Sequence, residues 1–344
     1  MYDTAILIGR FQPVHNGHLA LLRDALAVAR RVVVVVGSAC AARSPRNPFT
    51  WRERADLLLE AFAEPERARI DTLPVRDYYD EPVWARAVAG QVHALLGSAA
   101  ASICLVGHFK DASSGYLRSF PDWPLRALPR QGHFDATALR DAWLGGAAPA
   151  TLADALPAHA VAFLQDFART PAFCLLQQDW QALKDSKAAW ACAPYPPTFV
   201  TVDALVTAQA QVLLVRRGRS PGQGLLALPG GFIDVHETLL QSCLRELEEE
   251  THCALPANQL LAALREVRVF AHPARSERGR TITHVHHFDL GEERPPAVRA
   301  DDDAALAQWV PIGELAALED QFFDDHFHVL DRFLGLLGRA SMHP

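Results

Sequence analysis

Short apolar runs alternate with helical patterns in the first half of the chain. Residues 5–8, 32–36 and 103–106 are hydrophobic throughout, and each run is followed by glycine. Such runs are typical of strands buried on both faces of a parallel sheet. Apolar residues then recur with helical spacing after Asn16, the predicted N-cap, and after Trp51. The alternation predicts a doubly wound, dinucleotide-binding-like α/β domain.

A proline-rich stretch separates this half from the second. A helical pattern runs from residue 152 to about residue 185, and three prolines fall between residues 184 and 198, a composition typical of a linker. Residues 199–205 and 211–215 are predicted strands. The sequence therefore predicts a first domain at 1–186, a linker at 187–198 and a second domain at 199–344.

The composition agrees with a two-domain globular protein. The chain has 344 residues, of which 50% are hydrophobic, and its net charge is −7. A negative charge provides no basic field for nonspecific nucleic-acid binding. Six cysteines occur without a CxxC pair, which argues against a zinc ribbon or a disulfide scaffold. With no uncharged apolar span near the ~20 residues of a membrane helix, we expect a cytoplasmic protein and no membrane partner.

Candidate chemistry begins at the end of the first predicted strand. His15 and His18 are three residues apart at the start of the following helix, so their imidazoles can project the same way beside its unpaired N–H groups. In open α/β sheets this edge binds ligands, and a helix N-terminus favours phosphate. The alternative is an ordinary strand-to-helix turn with two solvated histidines. Glycine, arginine and proline in the same stretch favour a phosphate site.

A second candidate site lies on a predicted helix in the other half. Glu246, Glu249 and Glu250 have i, i+3 and i+4 spacing, so their carboxylates share one face and repel one another. Mg²⁺ relieves such repulsion and can activate water for attack on a phosphate. A solvated acidic face is the alternative that the spacing of the glutamates alone leaves open.

The first half resembles the nucleotidyltransferase superfamily, and its Gly-Arg-Phe-Gln-Pro stretch looks most like nicotinamide mononucleotide (NMN) adenylyltransferases. The resemblance implies a Rossmann-like domain with a parallel sheet, in which His15 and His18 stabilise the transferring phosphate and Trp84 stacks on the pyridine ring. A second signature departs from the family at Asp135, where serine is usual, so a hydroxyl contact there is in doubt. The substrate-binding residues implied are Gly9, Arg10, Phe11, Arg46, Asn47, Trp84, Gly107, His108, Lys110, Asp111, Thr137 and Arg140.

The second half resembles Nudix hydrolases, and its segment after the glutamates is similar to ADP-ribose pyrophosphatases. An α/β/α domain with a mixed sheet is implied. Glu246, Glu249 and Glu250 would be catalytic and, with Gly230, would hold Mg²⁺ or Mn²⁺. The implied substrate-binding residues are Gly231, Glu237, Arg245, Phe270 and Arg275. The motif normally ends in glycine, whereas this chain has His252, for which the left-handed conformation costs roughly 1 kcal/mol.

Together the resemblances imply a bifunctional enzyme of NAD metabolism, with ATP, NMN, NAD and ADP-ribose as ligands. Three alternatives stay open. The first domain could be a pantetheine-phosphate adenylyltransferase-like enzyme, the Nudix domain could act on another nucleoside diphosphate derivative or sense a ligand, or both domains could form an NAD-sensing regulator. The sequence also leaves open a homo-oligomer and the choice between NMN and its deamidated form.

Overall fold

The computed structural model describes residues 1–97, 102–107, 112–127, 134–253 and 255–338. The chain divides into two compact units, residues 1–177 and residues 178–344. Among the described residues, none of the helices is both long enough and apolar enough to cross a bilayer.

The first unit contains a five-stranded sheet in which all paired strands are parallel. Its strands are β1 (Tyr2–Gly9), β2 (Ala29–Val36), β3 (Ile70–Pro74), β4 (Ile103–Gly107) and β5 (Leu125–Ala127), in the spatial order β3-β2-β1-β4-β5. Parallel pairing buries the central strands on both faces, and the side chains of Val32 to Val36 are accordingly 0% exposed. The predicted α/β class with a parallel sheet is confirmed.

The structure describes six α-helices within this unit and a seventh that extends past its last residue. They are α1 (Asn16–Val28), α2 (Trp51–Leu59), α3 (Glu64–Arg67), α4 (Glu81–Leu96), α5 (Ala136–Leu144), α6 (Ala158–Phe167) and α7 (Pro171–Ala189). The helical pattern predicted from residue 152 to about 185 is broken, because α6 ends before Pro171 starts α7. Helix α7 spans the division after Gln177 and includes positions 187–189 of the predicted linker, so the exact domain bounds stay a prediction.

The first helix has a different cap from the predicted one. His15, not Asn16, is the N-cap of α1, and its side chain accepts a hydrogen bond from the His18 N–H group. Helix α2 begins as predicted, with a reciprocal capping box between Thr50 and Glu53. The prediction failed at α1 because an imidazole nitrogen can accept as a capping oxygen does, although histidine is not a favoured cap.

A buried arginine of α2 connects the ends of the two central strands. The Arg54 side chain is 0% exposed, and its guanidinium donates hydrogen bonds to the carbonyls of Arg10, Gly37 and Ser38 at 2.6, 2.7 and 3.2 Å. Burial lowers its pKa to about 10, so the group is still charged at neutral pH. Arg54 therefore fixes the backbone that follows β1 relative to the backbone that follows β2.

The second unit is built on a seven-stranded mixed sheet with main order β10-β11-β6-β7-β12. Strands β6 and β11 are parallel, whereas the other pairs are antiparallel. The strands are β6 (Thr198–Ala208), β7 (Gln211–Arg217), β8 (Leu226–Ala227), β9 (Gly230–Phe232), β10 (Leu264–Phe270), β11 (Arg280–Asp289) and β12 (Ala304–Pro311). The α-helices described beyond α7 are α8 (Leu239–Thr251), α9 (Ala257–Ala263) and α10 (His326–Leu334).

Two hydrophobic cores lie on opposite faces of this sheet. Val202, Ala204 and Val206 of β6 pack in one core with residues of α8 and α9, and the intervening Leu205 packs in another with residues of α10. This alternation follows from the two-residue period of a strand. The unit is an α/β/α sandwich with a mixed sheet, as the Nudix resemblance implied.

Replacing Arg54 with methionine should lower the unfolding free energy by about 3 kcal/mol or more, because three buried carbonyls would lose their donor. Arg52→Met is the matched control, since Arg52 lies on the same helix and is exposed, and its loss should stay below about 1 kcal/mol. Urea unfolding followed by circular dichroism measures both changes. Equal stability of the two variants would contradict the role assigned to Arg54.

Candidate active sites in the two units

The histidine pair of the first unit is assembled directly after β1. The imidazoles of His15 and His18 stack with ring centroids 3.5 Å apart. The His18 N–H group donates to His15 Nδ1 and the His15 N–H group donates to His18 Nδ1, each at 3.3 Å. Because both Nδ1 atoms accept, the proton of each neutral ring lies on Nε2. The two rings can thus present Nε2–H donors to a phosphate oxygen.

Two glycines lie close to the aromatic rings beside this pair. A Cβ atom at Gly17 would lie 3.1 Å from the ring of His15 and 3.1 Å from that of Phe134. At Gly9 a Cβ atom would lie 2.8 Å from the Phe11 ring, and Phe11 itself has a positive φ of 53°. The side chain of Phe11 is buried. Phe11 therefore packs beneath the loop, and Gly9 leaves room for it.

Buried polar contacts hold the surrounding loops to the histidine segment. The Gln12 side chain donates to the Phe49 carbonyl at 2.9 Å and accepts from the Phe49 N–H group at 3.1 Å. Arg140 donates to the Gln12 carbonyl and, at 3.2 Å, to the Thr137 hydroxyl. The structure thus brings Thr137 and Arg140 to the segment that carries the histidines. Arg140 is buried, and these contacts position the loop.

The other predicted residues of this unit are described only in part. Arg46 and Asn47 lie in a turn in which the Asn47 N–H group donates to the Ser44 carbonyl at 3.0 Å. Gly107 ends β4, which pairs with β1, whereas His108, Lys110 and Asp111 lie outside the described residues. Arg10 is exposed.

Trp84 lies in the first turn of α4 and is half-buried. Its ring meets those of Tyr116 and Phe120 edge-on, with centroids 5.7 and 5.6 Å away. These contacts support its role as a packing residue, and stacking on a pyridine ring stays a prediction. Asp135, where the family has serine, caps α5 by accepting from the Thr137 N–H group at 2.8 Å.

In the second unit, Arg245 joins three acidic side chains of the glutamate motif. Its guanidinium donates to Glu246 and Glu249 at 2.8 Å each and to Glu237 at 3.0 and 3.1 Å. Glu246 and Glu249 of α8 are therefore held by an internal cation. Among the described residues, histidine, cysteine and carboxylate side chains do not already converge in threes as a metal site.

Glu250 is the buried member of the motif. Its side chain is 7% exposed and accepts a hydrogen bond from the Gly230 N–H group at 3.0 Å. Burial raises the pKa of Glu250 to about 8, and the charges of Glu246 and Asp203 add to the rise. Burial also raises the pKa of Glu246. Carboxylates held together in this way are a donor set that a hard cation would stabilise.

Two glycines allow the backbone to approach these carboxylates. A Cβ atom at Gly231 would lie 2.5 Å from Glu246 Oε2, and one at Gly230 would lie 2.2 Å from the Val202 carbonyl oxygen. Gly230 also has a φ of 158°, which side chains rarely adopt. Glycine is therefore required at Gly230, where the obstacle is backbone, whereas a side chain at Gly231 would displace the Glu246 carboxylate.

A cleft opens beside Glu250. Of the predicted residues, it is lined by Gly230, Gly231, Glu250 and Arg275. The buried Arg275 forms a bidentate ion pair with Asp325, at 2.8 and 3.0 Å. Phe270 is not among the described lining residues and instead packs against Phe333 with centroids 6.1 Å apart. Its position supports a role in the core, while its predicted substrate contact stays untested.

Sequence reasoning missed several residues that line the cleft. They include Asp203, Arg217, Arg278, Asp303, Phe323 and His326. The guanidinium of Arg278 lies 5.4 Å from the Phe232 ring centroid and 5.6 Å from that of Phe323. His326 Nδ1 accepts from the Leu228 N–H group at 3.1 Å, and burial lowers the pKa of His326 to about 4. The polar segment that contains Asp324 and Asp325, just before α10, could have indicated that this part of the chain lines the cleft.

Comparisons with known proteins assign a family to each half of the chain. Residues 197–333 match the NUDIX domain and residues 6–81 match the cytidylyltransferase-like family. The crystal structure of a bifunctional NMN adenylyltransferase/ADP ribose pyrophosphatase from Francisella tularensis, complexed with AMP and a Mn ion, superposes with a TM-score of 0.91 at 33% identity. That match covers 98% of this chain and 100% of the Francisella chain. The chain belongs to this bifunctional family.

Relatives of each half support the same assignment. A nicotinamide/nicotinic acid mononucleotide adenylyltransferase from Acinetobacter baylyi is 34% identical over 186 residues, which cover 54% of this chain and 97% of the relative. An ADP-ribose pyrophosphatase from Methanocaldococcus jannaschii is 33% identical over 120 residues, which cover 35% of this chain and 65% of the relative. This member of the bifunctional family is therefore an adenylyltransferase and a Nudix pyrophosphohydrolase in one chain.

The raised pKa of Glu250 predicts a pH effect on the metal-free hydrolase unit. The pKa of Glu250 is about 8 in the folded chain and has an ordinary value of 4.5, so folding favours the protonated carboxyl group. This contribution to stability is fully present below pH 4.5 and is lost as the pH rises through 8. Asp325, with a pKa of about 6, and His326, with a pKa of about 4, titrate mostly below pH 7. Between pH 7 and 8 in EDTA, stability should fall by on the order of 1 kcal/mol.

Glu250→Gln should remove this fall, because the amide does not titrate, whereas Glu248→Gln on the exposed side of α8 should keep it. Thermal unfolding at the two pH values measures the difference. A Glu250→Gln variant with the same pH dependence as the parent chain would show that another group is responsible.

Proposed function

We propose that the two activities of the family reside in separate sites, one in each unit. The first unit transfers AMP from ATP to NMN, giving NAD and pyrophosphate. The second unit hydrolyses ADP-ribose to AMP and ribose 5-phosphate. The observation that carries the proposal is the whole-chain similarity to the bifunctional Francisella protein, combined with a histidine pair in one unit and buried glutamates in the other.

For adenylyl transfer, the phosphate of NMN attacks the α-phosphorus of ATP and pyrophosphate leaves. Both reactants bring their own nucleophile and leaving group, so the protein has mainly to align them and neutralise charge. The Nε2–H groups of His15 and His18 would donate to the transferring phosphate. Arg10 and Arg46 would bind the remaining phosphate oxygens. Arg140, through its bond to the Gln12 carbonyl, would also keep the histidine segment in place.

For hydrolysis, Glu246, Glu249, Glu250 and the Gly230 carbonyl would hold Mg²⁺, with Mn²⁺ as a substitute. The ion would activate water and neutralise charge on the leaving phosphate. Arg245 holds Glu246 and Glu249 in place. Arg217 and Arg278 line the cleft next to Glu250 and are suited to bind the diphosphate of ADP-ribose.

Other expectations stay predictions. They are a cytoplasmic location, the lack of a nucleic-acid or membrane partner, a homo-oligomeric state as one option, and the domain bounds 1–186 and 199–344. Incubating the chain with ATP and either NMN or its deamidated form, with chromatographic separation of products, tests the acceptor of the first site.

His18→Ala should lower adenylyl transfer at least about a hundredfold, because the transferring phosphate loses a donor. The same variant should keep its ADP-ribose hydrolysis within about twofold, since His18 belongs to the other unit. The alanine also removes the hydrogen bond from the His15 N–H group to His18 Nδ1 at the start of α1, which costs about 1 kcal/mol of stability. Both assays should therefore be run well below the unfolding temperature. A folded variant that lost both activities equally would contradict separate sites.

Glu249→Gln should lower the rate of ADP-ribose hydrolysis on the order of a thousandfold and leave NAD synthesis unchanged. The hydrolase substrate is tested on a panel of ADP-ribose, NAD, diadenosine polyphosphates and oxidised nucleoside triphosphates with Mg²⁺ or Mn²⁺. Glu248→Gln is the matched control on the same helix. Fast turnover of another member of the panel, with ADP-ribose untouched, would overturn the substrate while leaving the metal site in place.

A further inference from the structure

Helix α8 ends on a residue that is strained for its side chain. His252 has φ 40° and ψ 44°, the left-handed conformation predicted from its position. Glycine would adopt this conformation without cost, whereas histidine pays roughly 1 kcal/mol. The imidazole makes a contact that glycine could not: its Nε2 atom lies 2.8 Å from Asp301 Oδ2.

Asp301 belongs to a segment that runs along the end of α8. The Arg299 N–H group donates to the Thr251 carbonyl at 2.8 Å, and the Asp301 N–H group donates to the Glu250 carbonyl at 3.3 Å. These bonds use the last carbonyls of the helix, which have no partner within it. The His252 side chain therefore reinforces a backbone connection to the residues that carry the glutamates.

The segment continues into an acidic turn, Asp301 to Asp303. Asp301 Oδ1 accepts from the Asp302 N–H group at 2.9 Å, and Asp302 has a positive φ of 52°. Asp303 lines the cleft together with Glu250. Its carbonyl accepts from the Gly218 N–H group at 2.7 Å, and its Oδ1 atom lies 2.7 Å from Arg219 Nη1.

The turn also brings negative charge beside the glutamates. Asp303 lines the same cleft as Glu250, and the Asp301 N–H group is hydrogen-bonded to the Glu250 carbonyl at 3.3 Å. Carboxylates beside the motif favour a divalent cation bound by the same glutamates.

We propose that His252 is a positioning residue of the hydrolase, which holds the turn Asp301–Asp303 against α8 so that its carboxylates strengthen binding of the divalent cation. The proposal rests on the function proposed for the second unit. It accounts for a strained histidine at a position where glycine would fold more easily. The histidine would not touch the substrate or the cation.

The test separates stability from cation binding. His252→Gly in the full chain should unfold at the same or a higher temperature, because the strain is relieved. Its dissociation constant for Mn²⁺, measured by electron paramagnetic resonance at fixed pH, should rise about fivefold, and the metal concentration for half-maximal hydrolysis should rise in parallel. His252→Asn, which also tolerates the left-handed conformation, should behave in the same way.

Asp301→Ala should raise the Mn²⁺ dissociation constant similarly, and the double variant with His252→Gly should show little further change, since both disrupt one contact. Glu248→Gln is the control, because this carboxylate lies 3.7 Å from His252 Nδ1 and is not part of the turn. It should bind Mn²⁺ as the parent does.

Unchanged Mn²⁺ affinity in both His252 variants, or additive effects in the double variant, would overturn the proposal. Glu246→Gln distinguishes this failure from failure of the proposed metal site. If Glu246→Gln lowers Mn²⁺ binding while the His252 variants do not, the metal site stands and only the positioning role of His252 is wrong. If Glu246→Gln also binds Mn²⁺ normally, the metal site is wrong and the role of His252 falls with it.

Discussion

Both candidate sites hold groups of one kind close together. In the first unit two imidazoles stack at 3.5 Å, and in the second the carboxylates of α8 lie near a buried glutamate whose pKa is about 8. Burial of Glu250 disfavours its ionised form. The imidazoles are suited to donate hydrogen bonds to a phosphate, and the carboxylate oxygens are suited to bind a cation. The surrounding backbone, with Gly17, Gly230 and Gly231 at contact distance, is what permits the crowding.

Much of the fold could be predicted because its signals are local. The buried strands β1, β2 and β4, the capping box of α2 and the left-handed end of α8 are each encoded within a few neighbouring residues. Strand β5 was not predicted, since it is three residues long at the sheet edge and its residues are mostly exposed. Local reasoning also chose Asn16 as the cap of α1, where the adjacent His15 takes that role through a contact with His18.

The candidate sites were predictable in part for the same reason. The histidine pair and the glutamates are short motifs with fixed spacing, and the structure keeps each motif together. The cleft, by contrast, combines Asp203, Arg217 and His326, which come from three separate segments. No spacing along the chain connects such residues. For Arg140 and Arg275 the sequence indicated charge but not the buried partners, the Gln12 carbonyl and the Asp325 carboxylate.

The bonds from Arg245 to Glu246 and Glu249 have a consequence for ion selectivity. A cation bound by these carboxylates would compete for their oxygens with a guanidinium that is tethered to the same helix and cannot diffuse away. A potassium ion carries a single charge, so it offers the glutamates no more Coulomb attraction than the guanidinium already provides. An ion of twice that charge does. At the proposed metal site, the tethered competitor would therefore lower occupancy by monovalent ions more than occupancy by divalent ones.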